Sequence, residues 1–264
     1  MKKIITLLTD FGYSDYFVPS MKGVILSICP DATIVDITHE VPPQDVKRGA
    51  MILWACYKYF PKGTIHVAVV DPGVGTERKP IIVKSRNYYF VGPDNGILIP
   101  AAYDDGIEAV YEIDIYKVSR GKISKTFHGR DIFAPTAAML ACGVDVEDIG
   151  YRVDRYVVLK IEKPRKISDR VFEVQAVYID RFGNVYTSLR ESDIVEKPSK
   201  IGVTLPDGKY IEVPFVDAYG RVEIGRELAL INSEGFLELS INHGSFSHKY
   251  NIKELDKLII ELKY

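Results

Sequence analysis

The first half of the chain alternates short apolar runs with segments whose apolar residues recur at helical spacing. The runs are rich in Val, Ile and Thr, which is typical of strands buried on both faces of a sheet. They lie at residues 4–9, 33–38, 64–70 and 80–84. The helical period occurs over residues 45–60 and 131–142. Strands separated by helices predict βαβ units around a largely parallel sheet.

The second half follows a different pattern, in which apolar and polar side chains alternate from about residue 172. This period of two is typical of strands that have one buried face. Pairs of apolar runs also flank short turn signals, which predicts antiparallel hairpins. The two pairs are residues 201–205 with 210–215, and residues 228–231 with 236–241.

The change of pattern predicts two domains. Residues 161–168 are polar, contain Pro164 and are interpreted as a linker. We therefore predict an α/β domain over residues 1–160 and an antiparallel β domain over residues 169–264.

Composition and charge narrow the class of protein. The 34 basic and 36 acidic residues nearly balance, so no basic excess is present to displace counterions from a nucleic acid. The three cysteines are scattered and form no CxxC pair, which argues against a disulfide framework and a cysteine zinc site. The longest apolar run is too short to span a bilayer. We expect a cytoplasmic protein with no metal site and no nucleic-acid or membrane partner.

Polar residues concentrate where predicted strands end. They occupy residues 9–12 after the first strand, residues 71–78 after the third, and residues 92–96 after a later one. Residues 127–131 open a predicted helix. Because ligands bind at the carboxyl ends of the strands in open α/β sheets, we expect these loops to form one site.

Several of these candidate residues also have a purely structural interpretation. A carboxylate at Asp10 suits the backbone amides of a turn, and Asp94 with Asn95 suits an Asx turn. Asp131 is interpreted as the N-terminal cap of the helix over residues 131–142. Phe182, in the second half, has the alternative of a core aromatic residue.

Six short motifs, in this order, carry a family resemblance: TDFG (9–12), DITH (36–39), VDPGVG (70–75), GPDNG (92–96), FHGRD (127–131) and DRFGN (180–184). Together they resemble the S-adenosyl-L-methionine (SAM) hydroxide adenosyltransferase family, which is related to the bacterial fluorinase and chlorinase. The resemblance extends from Thr9 to about Ser245. It implies hydrolysis of SAM to adenosine and methionine without a metal or a cofactor.

The resemblance also implies an architecture. An N-terminal α/β domain is joined to a C-terminal β-barrel-like domain. The protein is expected to be a homotrimer, with each active site between the N-terminal domain of one subunit and the C-terminal domain of its neighbour.

The resemblance further assigns roles to individual residues. A catalytic Asp–Arg–His triad falls on Asp71, Arg78 and His128, and a ribose-binding carboxylate falls on Asp10. The other expected substrate-binding residues are Phe11, Asp94, Asn95, Asp180, Phe182, Asn184 and Ser233.

These residue types suit the implied chemistry. Attack at the ribose C5′ atom of SAM expels a neutral thioether, so the leaving group needs no general acid. An always-charged guanidinium such as Arg78 stabilises developing hydroxide. Either Asp71 or His128 is suited to orient the water and accept its proton, and the sequence leaves this choice open.

Two alternative functions stay open. A halogenase would use halide in place of water, but a charged triad suits a water-derived nucleophile better. Only 16 residues separate Arg78 from Asn95, which leaves no room for the loop that is inserted there in the fluorinase. A regulatory protein that binds SAM or adenosine without turnover would not need the triad.

Overall fold

The computed structural model describes residues 3–159 and 162–264 of the chain. The chain divides after Leu159 into two units, each with its own sheet and its own core. The predicted linker, residues 161–168, begins outside the described residues. Its described part contains a two-residue strand that pairs within the sheet of the second unit.

The first unit is built on a seven-stranded sheet. Its strands are β1 (Ile4–Thr9), β2 (Thr33–Thr38), β3 (Ile65–Val69), β4 (Pro80–Ser85), β5 (Tyr89–Pro93), β6 (Ile107–Ile113) and β7 (Gly150–Val153). Its helices are α1 (Phe17–Ile28), α2 (Val46–Cys56), α3 (Ile99–Asp105), α4 (Ile115–Val118), α5 (Ala134–Ala141) and α6 (Val146–Ile149).

The strand order is β2-β1-β3-β5-β4-β6-β7. β1 pairs in parallel with β2 and β3, and β3 pairs in parallel with β5. β4 is antiparallel to both β5 and β6, and β7 is antiparallel to β6. β2, β1, β3, β5 and β6 therefore run in one direction, which confirms the largely parallel sheet. The carboxyl ends of β1, β3 and β5 lie at the same edge.

The apolar runs of the central strands are continuous because helices cover both faces of the sheet. Successive residues of a strand point to opposite faces. Leu7 packs in a cluster with Met21 of α1 and Phe133 next to α5. Leu8 packs in another cluster with Leu53 of α2. Every residue of β1 is buried as a result.

The two predicted helices are present, but Asp131 does not cap the second one. α2 begins after Asp45, whose side chain accepts a hydrogen bond from the Arg48 N–H at 2.9 Å. α5 continues from a π-helical turn that already starts at Gly129. The Asp131 N–H is bonded to the Phe127 carbonyl, so this end of the helix has no need of Asp131 as a cap. The Asp131 carboxylate instead accepts from the Ser124 N–H at 2.8 Å and binds Arg130.

The second unit is an antiparallel β structure. Its strands are β8 (Arg165–Lys166), β9 (Val171–Ile179), β10 (Val185–Arg190), β11 (Lys200–Thr204), β12 (Tyr210–Pro214), β13 (Glu227–Ile231), β14 (Phe236–Ile241) and β15 (Lys257–Lys263), and its helix is α7 (Phe246–Lys249). The order is β12-β11-β15-β9-β10-β14-β13, with β8 beside β9. Both predicted hairpins are confirmed as β11–β12 and β13–β14. A bridge between Phe215 and Ala229 joins the two ends of the sheet, which makes it barrel-like.

Among the helices of the described residues, none combines the length and the apolar character that crossing a bilayer requires.

Candidate active site

A cavity of about 370 Å³ lies at the carboxyl edge of the first unit's sheet. Asp10 enters it directly after β1, and Asp71 follows β3 by two residues. Phe11 and His128 also line the cavity. The polar loops after β1 and β3 therefore meet at one cavity with the loop that carries His128, as expected for parallel strands, whereas none of residues 92–96 is among the described residues that line it.

Asp71, Arg78 and His128 form a contiguous cluster. The Arg78 Nε donates to Asp71 Oδ1 at 3.0 Å, and Nη2 donates to the other carboxylate oxygen. The same Nη2 lies 2.8 Å from Nδ1 of His128. The Arg78 and Asp71 side chains are only 9% and 6% exposed. The three residues expected to form the triad are thus brought into direct contact.

The guanidinium of Arg78 fixes the tautomer of His128. Arginine stays charged and has only donors, so Nδ1 of His128 must accept this hydrogen bond. Burial, and then the Arg78 charge, lower the pKa of His128, which favours the neutral imidazole with its proton on Nε2. The Nη1 atom of Arg78 is buried and has no hydrogen-bond partner among the described residues.

Gly75 allows the loop that carries Arg78 to approach the segment that leads to His128. It adopts a φ of +76°, and a Cβ atom there would lie 2.3 Å from the Lys125 carbonyl oxygen. Any other residue would therefore both strain the backbone and push the two segments apart.

Asp10 makes the turn contact that its structural interpretation predicts. Its Oδ2 accepts the Gln44 N–H at 2.8 Å, and Gln44 itself has a φ of +67°. Burial raises the pKa of Asp10, and the nearby Asp71 charge adds to the rise. Phe11 packs beside it against Phe17, with ring centroids 5.5 Å apart.

Asp94 and Asn95 form hydrogen bonds with backbone groups of the first unit. The Asn95 Oδ1 accepts the Ile97 N–H, which forms the Asx turn, and its Nδ2 donates to the Val70 carbonyl at 2.8 Å. Asp94 Oδ1 accepts the Val157 N–H. Asn95 thus anchors the backbone just before Asp71, and contact of Asp94 and Asn95 with substrate stays a prediction.

The second unit carries an open cavity of about 880 Å³ that Asp180, Phe182 and Asn184 line. The Asp180 carboxylate accepts the backbone N–H groups of Phe182 and Asn184, both at 2.9 Å, and the Asn184 side chain at 2.8 Å. Phe182 is 75% exposed, so its interpretation as a core residue is wrong. Ser233 is exposed in the turn between β13 and β14, and its contact with substrate stays a prediction.

Sequence reasoning missed two aromatic residues of this second cavity, Tyr186 and Tyr219. The Tyr219 hydroxyl donates to the fully buried Glu238 at 2.8 Å. Burial raises the pKa of Glu238. A buried Glu in the β14 sequence was the available signal, because an isolated carboxylate inside a sheet needs donors from its neighbours.

An α/β sheet with a carboxylate–guanidinium–imidazole cluster beside a cavity at its carboxyl edge is typical of enzymes that act on small molecules. Residues 5–150 match the SAM hydroxide adenosyltransferase N-terminal domain, and residues 174–259 match the C-terminal domain of the same family. The chain belongs to the SAM hydroxide adenosyltransferase family.

Individual relatives agree with this assignment. The (R)-S-adenosyl-L-methionine hydrolase of Methanocaldococcus jannaschii is 38% identical over 97% of this chain and 95% of its own length. A fluorinase of Nocardia brasiliensis is 29% identical over 96% of this chain and 94% of its own. The crystal structure of an uncharacterized conserved protein from Thermotoga maritima superposes with a TM-score of 0.90 at 37% identity, covering 97% of this chain and 99% of that one.

Proposed function

We propose that the protein hydrolyses SAM to adenosine and L-methionine. The oxygen of a water molecule attacks ribose C5′ in line with the sulfonium. The C5′–O bond forms as the C5′–S bond breaks, the bonding pair goes to sulfur, and methionine leaves as a neutral thioether. The single observation that carries this proposal is the buried guanidinium of Arg78, held against Asp71 and His128 where these two residues line the cavity.

Arg78 supplies what this reaction lacks at neutral pH, which is stabilisation of hydroxide. Its charge lies against Asp71 and His128, which line the cavity, so a water held by these two residues lies in the field of the guanidinium. As the water loses its proton, this electrostatic stabilisation grows. A preorganised charge of this kind stabilises the transition state more than the ground state.

Asp71 is the proposed proton acceptor. His128 uses Nδ1 to accept from Arg78, and its Nε2 then carries a proton that can only be donated. Each Asp71 oxygen accepts from Arg78 but retains a second lone pair. His128 therefore orients the water or the guanidinium, and Asp71 takes the proton.

Four of the remaining predicted residues are proposed to bind defined parts of the substrate. Asp10 accepts the two ribose hydroxyls, for which a carboxylate offers charge-assisted bonds. Phe182, three-quarters exposed, offers an aromatic face for adenine, while Asp180 and Asn184 bind the methionine amine and the base.

We also propose that the reaction needs no metal ion and no cofactor, because a sulfonium leaves as a neutral group. Activity is then expected to survive dialysis against EDTA. A loss of activity that Mg²⁺ or Zn²⁺ restores would contradict this part of the proposal.

We further propose that the protein is a homotrimer in which the second unit of a neighbouring subunit completes each active site. This follows from the family resemblance, and residues of both units are expected to bind one substrate.

The test is product analysis of the purified protein with SAM in halide-free buffer. Equal amounts of adenosine and methionine are expected, and Arg78→Ala should abolish them. Arg165→Ala is the matched control, because Arg165 is also paired with a carboxylate, that of Glu173, but lies exposed on the sheet of the second unit. Product that requires chloride or fluoride would indicate a halogenase, and SAM that is bound but never consumed would indicate a regulatory protein.

A further inference from the structure

The DITH motif has no role in the proposed mechanism, yet its Asp36 and His39 form a partly buried polar network with Thr9, the residue before Asp10. His39 follows β2 and is fully buried. Its Nδ1 lies 2.8 Å from the Thr9 Oγ1, and its Nε2 lies 3.2 Å from Asp36 Oδ1. The other Asp36 oxygen binds the Lys22 ammonium at 2.6 Å. The network thus links the ends of β1 and β2 to α1.

The charge of Asp36 favours one tautomer of His39. Asp36 Oδ1 lies 3.2 Å from Nε2 without an aligned hydrogen bond, and its negative charge favours a proton on Nε2. Nδ1 then accepts the Thr9 hydroxyl, whose oxygen accepts the Phe11 N–H at 3.2 Å. Burial lowers the pKa of His39, which agrees with a neutral ring.

The network fixes the backbone on the carboxyl side of Asp10 at two consecutive points. Phe11 is held through the Thr9 hydroxyl, and Gly12 donates its N–H to the His39 carbonyl at 2.8 Å. Thr9, His39 and Asp36 are not among the residues that line the cavity in the described chain. They act on the cavity through the loop that carries Asp10.

We propose that Thr9, His39 and Asp36 are positioning residues that hold the Asp10 carboxylate where it accepts a ribose diol. This inference rests on the proposed function, because it takes Asp10 as the ribose-binding group. A displacement of that loop by a fraction of an ångström would lengthen both bonds to the diol. The network therefore sets the preference of the site for a ribonucleoside over one without the 2′- and 3′-hydroxyls.

The chain contains its own control for this proposal. Thr6 lies on the same strand, three residues before Thr9, and its Oγ1 also lies 2.8 Å from a histidine Nδ1, that of His66. Thr6 and Thr9 are both completely buried. Removal of either hydroxyl leaves a buried histidine nitrogen without its partner, but only Thr9 is connected to the Asp10 loop.

The test compares the binding of adenosine and 2′,3′-dideoxyadenosine by titration calorimetry to wild-type protein, Thr9→Val, Thr9→Ser and Thr6→Val. Thr9→Val is expected to weaken adenosine binding on the order of 10- to 100-fold and to change dideoxyadenosine binding by less than about threefold. Thr9→Ser keeps the hydroxyl and should restore the wild-type preference. Thr6→Val should lower the unfolding temperature about as much as Thr9→Val without changing the preference.

The outcomes separate this inference from the proposed function. Wild-type protein that binds the two nucleosides equally would contradict the ribose role of Asp10 and this inference, whereas the proposed function fails only if SAM is not hydrolysed. A wild-type preference for adenosine that survives Thr9→Val, or that Thr6→Val reduces equally, would overturn the positioning role alone. If Thr9→Val does not fold, Asp36→Asn takes its place, since its side chain is 25% exposed, and it should reduce the preference in the same direction.

Discussion

Arg78 is the residue on which the chemistry of this site depends. Its planar guanidinium donates from Nε and Nη2 to the two oxygens of Asp71, and Nη2 also donates to His128. The Nη1 atom has no hydrogen-bond partner among the described residues. A lysine ammonium at this position would keep the charge, but it could not make these contacts at once from a single point. The guanidinium is also held over the Phe133 ring, 5.3 Å from its centroid, which restricts its rotation.

Arg78→Lys is therefore expected to lower kcat on the order of 100- to 1,000-fold, comparable to the loss of an oxyanion donor. KM for SAM should change only a few-fold, because the water and not the substrate loses its partner. Steady-state kinetics by adenosine release measures both constants, with Arg165→Lys, in an exposed ion pair with Glu173, as the control. A kcat within about threefold of wild type would contradict the role of Arg78.

At the scale of elements, the central strands of the first unit and both hairpins of the second were predicted from sequence, whereas the strands β6, β7, β10 and β15 and the long helix α1 were not. β1 and β3 have continuous apolar runs because helices cover both faces of the sheet, and such runs can be recognised in the sequence. α1 also has buried residues at helical spacing, Val18, Met21 and Ile25. Pro19 and Gly23 within it are poor helix formers, so its local signal is weak, and packing on the sheet must stabilise it.

Part of the candidate site could likewise be predicted from the sequence, and part of it could not. Residues that follow strands, such as Asp10 and Asp71, were placed by strand direction alone. Gln44 reaches Asp10 through its backbone N–H at a positive φ, which no residue-type pattern encodes. Tyr219 depends on Glu238, a contact between residues 19 apart whose geometry exists only after the barrel has formed.

The buried Thr6–His66 pair between β1 and β3 makes stability depend on pH. Burial lowers the pKa of His66 from 6.5 to about 3. Below pH 6.5 the unfolded chain binds a proton that the folded chain does not, so stability is lost as pH falls from 6.5 towards 3. The slope expected from this one group approaches about 1.4 kcal/mol per pH unit.

Urea unfolding between pH 7 and pH 4 measures this slope. The Thr6→Val/His66→Phe double variant removes both polar partners. Its free energy of unfolding should depend on pH less steeply than that of the wild type, by about 1.4 kcal/mol per pH unit. His39 and His128 also have lowered pKa values, but they remain in both proteins and so cancel in the comparison. Equal slopes for the two proteins would contradict the assignment to His66.

At the scale of the whole molecule, predicted substrate-binding residues occur in both units. Asp10 and the Asp71 cluster belong to the first unit, and Asp180, Phe182 and Asn184 belong to the second. The proposed homotrimer joins these two groups of residues from neighbouring subunits. That proposal makes a quantitative prediction for mixed oligomers.

Asp71→Ala and Asp180→Ala are each expected to be nearly inactive alone. When they are unfolded together in equal amounts and refolded, shared sites should recover about a quarter of wild-type activity, since each site draws at random on two subunits. Wild-type protein carried through the same refolding is the control. No recovery of activity from a well-folded trimer would show that each site is completed within one subunit.

The measurement that tests the central claim most directly is SAM turnover in water enriched in ¹⁸O, followed by mass spectrometry of the products. Attack on ribose C5′ by a water held at the Asp71–Arg78–His128 cluster predicts one ¹⁸O atom in the 5′-hydroxyl of adenosine and none in methionine. Arg78→Ala should form neither product. Adenosine without the label, or labelled adenosine formed at the wild-type rate by Arg78→Ala, would contradict the mechanism.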